Sequence, residues 1–167
     1  KKNYTLISED YAIGLDYGFY KSLRKEFNVE KNVLFINIGD THSNVFLVSF
    51  SNTGMKIIKS NTILIGGNNY TTIIYDHIKE LVFKKFNKNL DDYPKKKFSA
   101  FRECEKLKKV LSTIDKGNIN LDCIFNEESF NYTLERSKFD ELTQNITLEL
   151  INTINEVLKN INLDDID

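Results

Sequence analysis

Two strand-like runs separated by a tight polar segment constrain this fold more than any other feature of the sequence. The runs cover residues 32–38 and 44–50, and the segment between them, Gly39-Asp40-Thr41-His42-Ser43, contains one glycine. Because short connections favour antiparallel neighbours, the pattern predicts a hairpin. A third strand-like run at 55–65 follows another short turn, so we expect a three-stranded meander.

The rest of the chain alternates between helical and strand-like patterns. Apolar spacing predicts helices at about 6–21, 68–87, 95–114 and from 135 onward, and strands near 118–125 and 129–134. Three antiparallel strands and then a helix open the ribonuclease H-like half-domain that actin-like ATPases duplicate. We therefore predict an α/β fold: a partial actin-like ATPase half-domain with an inserted α+β subdomain. The tail after residue 161 is expected to be a loop before another element.

Composition excludes several classes of function. The 167 residues are 41% hydrophobic and 28% charged with a net charge of −1, so no global field favours nucleic acid or an anionic membrane. No apolar run reaches the roughly 20 residues that span a bilayer. Two cysteines, Cys104 and Cys123, and two histidines, His42 and His77, predict neither a disulfide framework nor a metal site. A reducing compartment follows, and with no visible signal peptide we expect the cytoplasm.

The turn Gly39–His42 is a candidate phosphate site. Glycine lets a turn approach an anion closely, and converging backbone N–H groups bind phosphate. Hairpin turns need glycine for conformational reasons too, so both interpretations stay open. Sites of this kind usually place a carboxylate at the position of Asn37, and Asp40 adds a negative charge unless it points outward. We therefore expect nucleotide binding with poor hydrolysis and assign no catalytic residue.

A polar stripe on the second predicted long helix is the other candidate. Its members recur at i, i+3, i+4 and i+7 and share one face: Glu105, Lys108, Lys109 and Ser112. The opposite side is expected to be the core face, with Leu107, Val110, Leu111 and Ile114. A carboxylate, two ammonium groups and a hydroxyl suit a ribose and an adenine edge. The alternative is a solvated face with a Glu105–Lys109 ion pair.

Three other features have plainer interpretations. His42 is expected to be a turn residue in water, with phosphate contact as the alternative. His77, which lies among apolar residues, is expected at the boundary of the core. Lys95-Lys96-Lys97 is expected to be a solvated helix start, with a basic partner-binding patch as the alternative.

Several segments occur in the order found in a known family. They are Asn32-Val-Leu-Phe-Ile-Asn-Ile-Gly39, Leu64-Ile65-Gly66-Gly67-Asn68-Asn69-Tyr70, Cys104-Glu105-Lys106-Leu107-Lys108-Lys109-Val110-Leu111-Ser112 and Arg136-Ser137-Lys138-Phe139-Asp140-Glu141-Leu142. The chain resembles the ATPase domain of the heat shock protein 70 superfamily over nearly its whole length. The resemblance implies lobe II: the first part of subdomain IIA at 1–66, subdomain IIB at 67–134, and a helix returning to subdomain IIA at 135–167.

The phosphate turn departs from the main branch of that family. That branch has Asp-x-Gly-Gly-Gly-Thr where this chain has Asn37-Ile38-Gly39-Asp40-Thr41-His42. The branch like heat shock protein 110 also replaces those glycines with polar residues, and its helix commonly reads Glu-Lys-Leu-Lys-Lys-Val-Leu-Ser, as residues 105–112 do. The chain is similar to that branch, whose members act mainly as nucleotide exchange factors and holdases.

The resemblance also implies roles for individual residues. Adenosine would contact Glu105, Lys108, Lys109 and Ser112, and phosphate would contact Gly39, Asp40, Thr41 and His42. Gly66 and Gly67 match a pair near the cleft, and Glu9 matches a glutamate that helps couple nucleotide to the interdomain linker. The implied cofactor is ATP or ADP with magnesium, bound by the full-length protein. No residue of this chain is assigned as a metal ligand.

The implied partners are a heat shock protein 70-type chaperone and unfolded client proteins, with no nucleic acid and no membrane. Two other functions stay open: an active ATP-hydrolysing foldase, and an interaction scaffold that has lost nucleotide binding. The endoplasmic reticulum lumen is the alternative compartment.

Overall fold

The structure is a computed structural model that describes residues 4–24 and 26–166. Its elements are α1 (Glu9–Leu23), β1 (Lys31–Ile38), β2 (Ser43–Ser51), β3 (Gly54–Ile63), α2 (Gly67–Phe86), a 3-10 helix (Leu90–Asp92), α3 (Pro94–Leu111), β4 (Lys116–Phe125), β5 (Glu128–Glu135), α4 (Arg136–Leu158) and a 3-10 helix (Leu163–Asp165). The ends of the predicted subdomain ranges, residues 1–3 and 167, lie outside the described residues. Within the described part of the chain, every helix is too short or too polar to cross a bilayer.

The chain divides into two compact units. The first comprises Lys1–Leu64 with Glu149–Asp167, and the second comprises Ile65–Leu148. The order of helices and strands is the predicted one. The assignment of subdomains to 1–66, 67–134 and 135–167 stays a prediction.

The first unit contains an antiparallel sheet in the order β1-β2-β3. Its central strand is buried on both faces, because successive side chains of a strand point to opposite sides. Phe46, Val48 and Phe50 pack on one side with residues of α1, including Ile13 and Tyr17. The other side packs with the end of α4, through the residues Val45, Leu47, Ile154 and Val157.

Two glycines let α1 lie close to this sheet. A Cβ atom on Gly18 would lie 2.8 Å from the ring of Phe50, and one on Gly14 would lie 3.1 Å from the methyl group of Met55. Glycine lowers helix propensity by about 1 kcal/mol relative to alanine, so both residues weaken the helix prediction from sequence. The observed contacts explain why small residues occupy these positions.

The tail after α4 returns to the first unit's sheet. Ile166 forms a parallel bridge with Asn32 of β1, and the Asn32 side-chain amide donates to the carbonyl of Asp165 at 3.1 Å. The sequence predicted a loop here before another element. The structure adds a 3-10 turn, Leu163–Asp165, and a first strand contact.

The second unit packs α2 and α3 with the β4–β5 hairpin around one apolar core. Gly117 lies against α3, where a Cβ atom would be 2.4 Å from Leu107 Cδ1. The hairpin turns at Asn126 and Glu127, which have φ values of 51° and 63°. Two consecutive residues with positive φ between paired strands form the type I′ turn that matches strand twist.

The structure tests two predictions about this unit, one for His77 and one for the lysines at the start of α3. His77 lies at the core boundary as predicted: its Nε2 is 3.1 Å from the Tyr132 hydroxyl, and burial lowers its pKa. The expected solvated start of α3 is wrong for one of its three lysines. Lys95 and Lys97 are exposed, and Lys97 Nζ lies 2.7 Å from Asp91 Oδ1, whereas Lys96 is half-buried with its Nζ 4.2 Å from the centroid of the Phe125 ring. Long side chains can pack their stems while keeping the charge near water or a partner.

Asp91 joins α2, the first 3-10 helix and α3. Its carboxylate accepts hydrogen bonds from Lys97, from Lys79 at 3.1 Å and from the Tyr75 hydroxyl at 3.1 Å. The bonds from Lys97 and then Lys79 lower the pKa of Asp91 from 3.8 to about 2. A depressed carboxyl pKa stabilises the fold above the unfolded-state value, and this stabilisation is lost as the pH falls through the folded-state value.

Replacing Asp91 with asparagine is expected to lower the free energy of unfolding by about 1 kcal/mol at pH 7. The pKa difference corresponds to about 2 kcal/mol, which partial exposure to solvent reduces. Asp92→Asn is the matched control, because Asp92 is an exposed neighbour in the same 3-10 helix. Urea unfolding at several pH values checks this: the deficit of Asp91→Asn should shrink between pH 4 and pH 2. A deficit that stays constant over that range would contradict the account.

Candidate functional site

The turn between β1 and β2 is as tight as predicted. The Gly39 N–H donates to the carbonyl of His42 at 2.9 Å. A Cβ atom on Gly39 would lie 2.9 Å from that same backbone oxygen, so a larger residue could fit only if the turn shifted. Asp40 and Thr41 are exposed at the tip. The strand register, which pairs Ile38 with Ser43, places these residues beyond the end of the sheet.

A cluster of polar residues lies directly behind the turn. Asn37 pairs in register with Asn44, so both lie on the same face of the sheet. Asn44 is 7% exposed; its amide nitrogen donates to Glu9 Oε2 at 2.6 Å, and its oxygen accepts from the Thr62 hydroxyl at 2.8 Å. His42 Nε2 also lies 3.0 Å from Glu9 Oε2. The cluster connects the start of α1 to the turn, to β2 and to β3.

The prediction that His42 is a turn residue in water is therefore wrong in part. Its side chain is 41% exposed, but the ring contacts the Glu9 carboxylate and lies 3.3 Å from the Thr41 hydroxyl through Nδ1. Sequence reasoning did not name Asn44 or Thr62. A hairpin centred on Gly39–His42 places position 44 opposite position 37, and that register was the signal for Asn44.

In the second unit, Gly66 and Gly67 form the start of α2. Gly66 has extended backbone, with φ −152° and ψ −172°, and α2 begins at Gly67. The Asn69 side-chain oxygen accepts from the Gly66 N–H at 2.9 Å, while the Asn69 N–H donates to the Gly66 carbonyl at 3.0 Å. This reciprocal pair caps the helix in the manner of a capping box.

The residues of the predicted polar stripe make different kinds of contact. Lys109 Nζ lies 2.7 Å from Glu105 Oε1, and this hydrogen bond lowers the pKa of Glu105. Ser112 caps the C-terminus of α3, and its hydroxyl donates to the carbonyl of Lys109 at 2.6 Å. Lys108 instead points to α2, donating to the Gly67 carbonyl at 2.7 Å and the Thr71 hydroxyl at 2.9 Å. Two predicted site residues, Lys108 and Gly67, are thus in direct contact.

The predicted core face of α3 is correct for two of its four residues. Leu107 and Leu111 are buried, whereas Val110 is 41% and Ile114 is 53% exposed. The helix ends at Leu111 rather than at 114, so Ile114 lies in the turn before β4. Val110 lies at the outer edge of the packed face.

The polar groups of the stripe suit a sugar or a base, whereas the carboxylates beside the turn, Glu9 and Asp40, are of the kind that magnesium takes. The exposed carboxylate, ammonium and hydroxyl groups of Glu105, Lys109 and Ser112 can exchange hydrogen bonds with a sugar or base. Magnesium is usually held by one or two carboxylates together with substrate phosphates. Behind the turn the paired residues are amides, and among the residues described no group of three or more His, Cys, Asp or Glu side chains could hold a metal ion.

Comparison with known proteins identifies the family. The family model described as Hsp70 protein matches residues 3–167. Similar curated proteins include Heat shock 70 kDa protein 15 of Arabidopsis thaliana, 29% identical over 83% of this chain, and Heat shock 70 kDa protein 4L of Homo sapiens, 24% identical over 95% of it. The chain spans only 17% and 19% of the lengths of these two relatives. The chain therefore belongs to the Hsp70 protein family, and its α/β fold is that of part of the family's actin-like ATPase domain.

Proposed function

We propose that this chain is part of lobe II of the nucleotide-binding domain of a chaperone close to the heat shock protein 110-like branch. The full-length protein binds ATP or ADP and hydrolyses ATP slowly. It acts as a nucleotide exchange factor for a heat shock protein 70-type partner and as a holdase for unfolded clients. We place it in the cytoplasm, with the endoplasmic reticulum lumen as the alternative.

One observation supports slow hydrolysis: position 37 holds an amide and not a carboxylate. Asn37 lies at the end of β1 beside Asn44, so the two facing positions behind the turn are both uncharged amides. A carboxylate at this place would orient water or a hydrated magnesium ion near the terminal phosphate. An amide can form hydrogen bonds there, but it carries no charge and cannot accept the proton. Binding can persist while cleavage is impaired.

Nucleotide binding is supported by the two groups of polar residues. The tip of the Gly39–His42 turn is exposed, so its backbone is accessible to a phosphate, while the Gly39 N–H itself donates to the His42 carbonyl. On α3, Glu105, Lys109 and Ser112 present polar groups to solvent. Lys108 holds the start of α2 by its bond to Gly67. We therefore propose that Lys108 positions the start of α2, whereas the family resemblance implied that it contacts adenosine.

The choice of branch rests on residues of the sequence. Asp40, Thr41 and His42 replace the glycines and threonine of the main branch, and residues 105–112 read Glu-Lys-Leu-Lys-Lys-Val-Leu-Ser. A nucleotide exchange assay with a partner chaperone tests this assignment.

Replacing Lys109 with glutamate is expected to weaken ADP binding to the full-length protein by about tenfold. The change removes a charged hydrogen-bond donor, which contributes about 1.5–3 kcal/mol, and places a second carboxylate beside Glu105. Lys106→Glu is the matched control, because Lys106 is exposed on the same helix and pairs with Glu103 at 2.6 Å. Isothermal titration calorimetry should show the control within about twofold of the wild type. Equal losses in both variants would contradict the assignment of Lys109.

An interaction scaffold without nucleotide is the second candidate. It is favoured by the Glu105–Lys109 ion pair and by the internal bonds of Lys108, which satisfy stripe residues without a ligand. The same titration distinguishes the two functions. A wild-type protein that binds neither ADP nor ATP would be a scaffold.

A further inference from the structure

The outer face of the first half of α3 carries an exposed aromatic ring between two cations. Lys95, Phe98 and Arg102 recur at i, i+3 and i+7, so they share one face of the helix. All three side chains are exposed, and Phe98 is 66% exposed. We call these three residues the α3 face. It lies opposite the buried positions of the helix, which are Ala100, Cys104, Leu107 and Leu111.

The first half of α3 is basic. Residues 94–102 include three lysines and one arginine and no carboxylate. Lys96 and Lys97 are already engaged, by Phe125 and Asp91 respectively. Among the described residues, no carboxylate forms an ion pair with either of the other two cations, which are those of the α3 face.

The nearest carboxylates in the sequence leave this face positively charged. Glu103 and Glu105 each pair with a lysine three or four residues further along the helix, at 2.6 Å and 2.7 Å. The hydrogen bond from Lys109 is the largest cause of the lowered pKa of Glu105, and the charge of Arg102 is a smaller one. Asp92 is exposed just before the helix. One carboxylate without an ion pair therefore lies near two such cations.

Arg102 also restrains the exposed ring. Its guanidinium carbon lies 5.9 Å from the centroid of the Phe98 ring, which is a cation–π contact between residues one turn apart. A side chain that is restrained before a partner binds loses less conformational entropy on association. Aromatic and arginine side chains are enriched among the residues that dominate the affinity of protein interfaces. A guanidinium that stacks on a ring can also bind a carboxylate through its N–H groups.

We infer that the α3 face binds an acidic segment of a partner protein. An apolar side chain of the segment packs on Phe98, and its carboxylates bind Lys95 and Arg102, the latter in the bidentate geometry that a guanidinium favours. Nucleic acid suits the face less well, because its affinity comes from many phosphate contacts and the face offers only two cations. The inference does not depend on nucleotide binding.

Fluorescence anisotropy of a labelled peptide mixed with the full-length protein tests this inference. The peptide consists of glutamates around a central pair of leucines. Arg102→Glu and Phe98→Ala are each expected to weaken binding by about tenfold. Arg24→Glu and Phe83→Ala are the matched controls, because they make the same changes at exposed residues of α1 and α2. Both controls should stay within about twofold of the wild type.

Each outcome decides the matter. A wild type that does not bind the peptide overturns the inference. A peptide that binds the α3-face variants as tightly as the controls is held elsewhere on the protein, and this result overturns it too. Displacement of the peptide by a polyuridylate oligonucleotide at lower concentration than by the unlabelled peptide would assign the face to nucleic acid instead. Lys95→Glu is the additional variant if either of the others fails to fold, and it should weaken binding in the same direction.

Discussion

Replacing Phe46 with alanine is expected to lower the free energy of unfolding of the first unit by about 3–5 kcal/mol. Phe46 is 0% exposed in the central strand and stacks on Phe35 with ring centroids 4.9 Å apart. Removing a buried aromatic side chain forfeits its transfer free energy and leaves a cavity that the sheet fills only in part. Hydrogen exchange of the β1–β3 amides in the full-length protein measures the loss.

Phe98→Ala is the matched control for this prediction. Phe98 is 66% exposed on α3, so the same truncation there should change stability by less than about 0.5 kcal/mol. Unchanged protection of β1–β3 in Phe46→Ala would mean that the central strand is not the core of this unit.

Replacing Asn37 with aspartate is expected to raise the rate of ATP hydrolysis by about 10²-fold. Aspartate restores a charged group that can orient a hydrated cation or the attacking water, and groups with such roles contribute about 10²–10⁴-fold. Single-turnover hydrolysis of ATP by the full-length protein in the presence of Mg²⁺ measures the rate.

Asn52→Asp adds the same charge in the exposed turn between β2 and β3, so it is the matched control and should leave the rate unchanged. A rate for Asn37→Asp equal to that of the wild type, with nucleotide still bound, would show that position 37 does not limit cleavage.

The first unit could be predicted well because local rules and packing agree there. Strand-like runs on either side of Gly39–His42 specify a hairpin, and a one-residue slip would exchange the side chains that β2 packs against α1 with those that it packs against the end of α4. The helix α1 was harder to predict, since Gly14 and Gly18 lower its propensity. The structure explains these glycines, because the absence of a Cβ atom leaves room for the side chains of Met55 and Phe50.

The polar contacts behind the turn could not be predicted in the same way. Asn44 follows from the hairpin register, but its bonds to Glu9 and Thr62 join three separate elements, and no local pattern encodes them. Glu9 was predicted to be a coupling residue, and His42 was predicted to be part of the turn. Neither prediction implies the contact between His42 and Glu9 that the structure shows.

Helical spacing on α3 does not predict where a long side chain points. Helical spacing places Lys108 in one stripe with Glu105 and Lys109, yet a lysine stem is long enough to turn toward a neighbouring helix. Lys108 reaches the Gly67 carbonyl, an acceptor at the start of α2 that lies 41 residues away in sequence. The binding role of the stripe stays a prediction.

The most direct test of the central claim follows the fate of ATP in a single turnover. Full-length protein in excess over labelled ATP is separated from unbound nucleotide, and the ratio of bound ATP to bound ADP is measured over time. The account predicts that ATP is retained and stays uncleaved while a main-branch family member, which carries aspartate at the position of Asn37, converts its ATP to ADP. Conversion at the rate of that reference protein, or no retained nucleotide, would contradict the account.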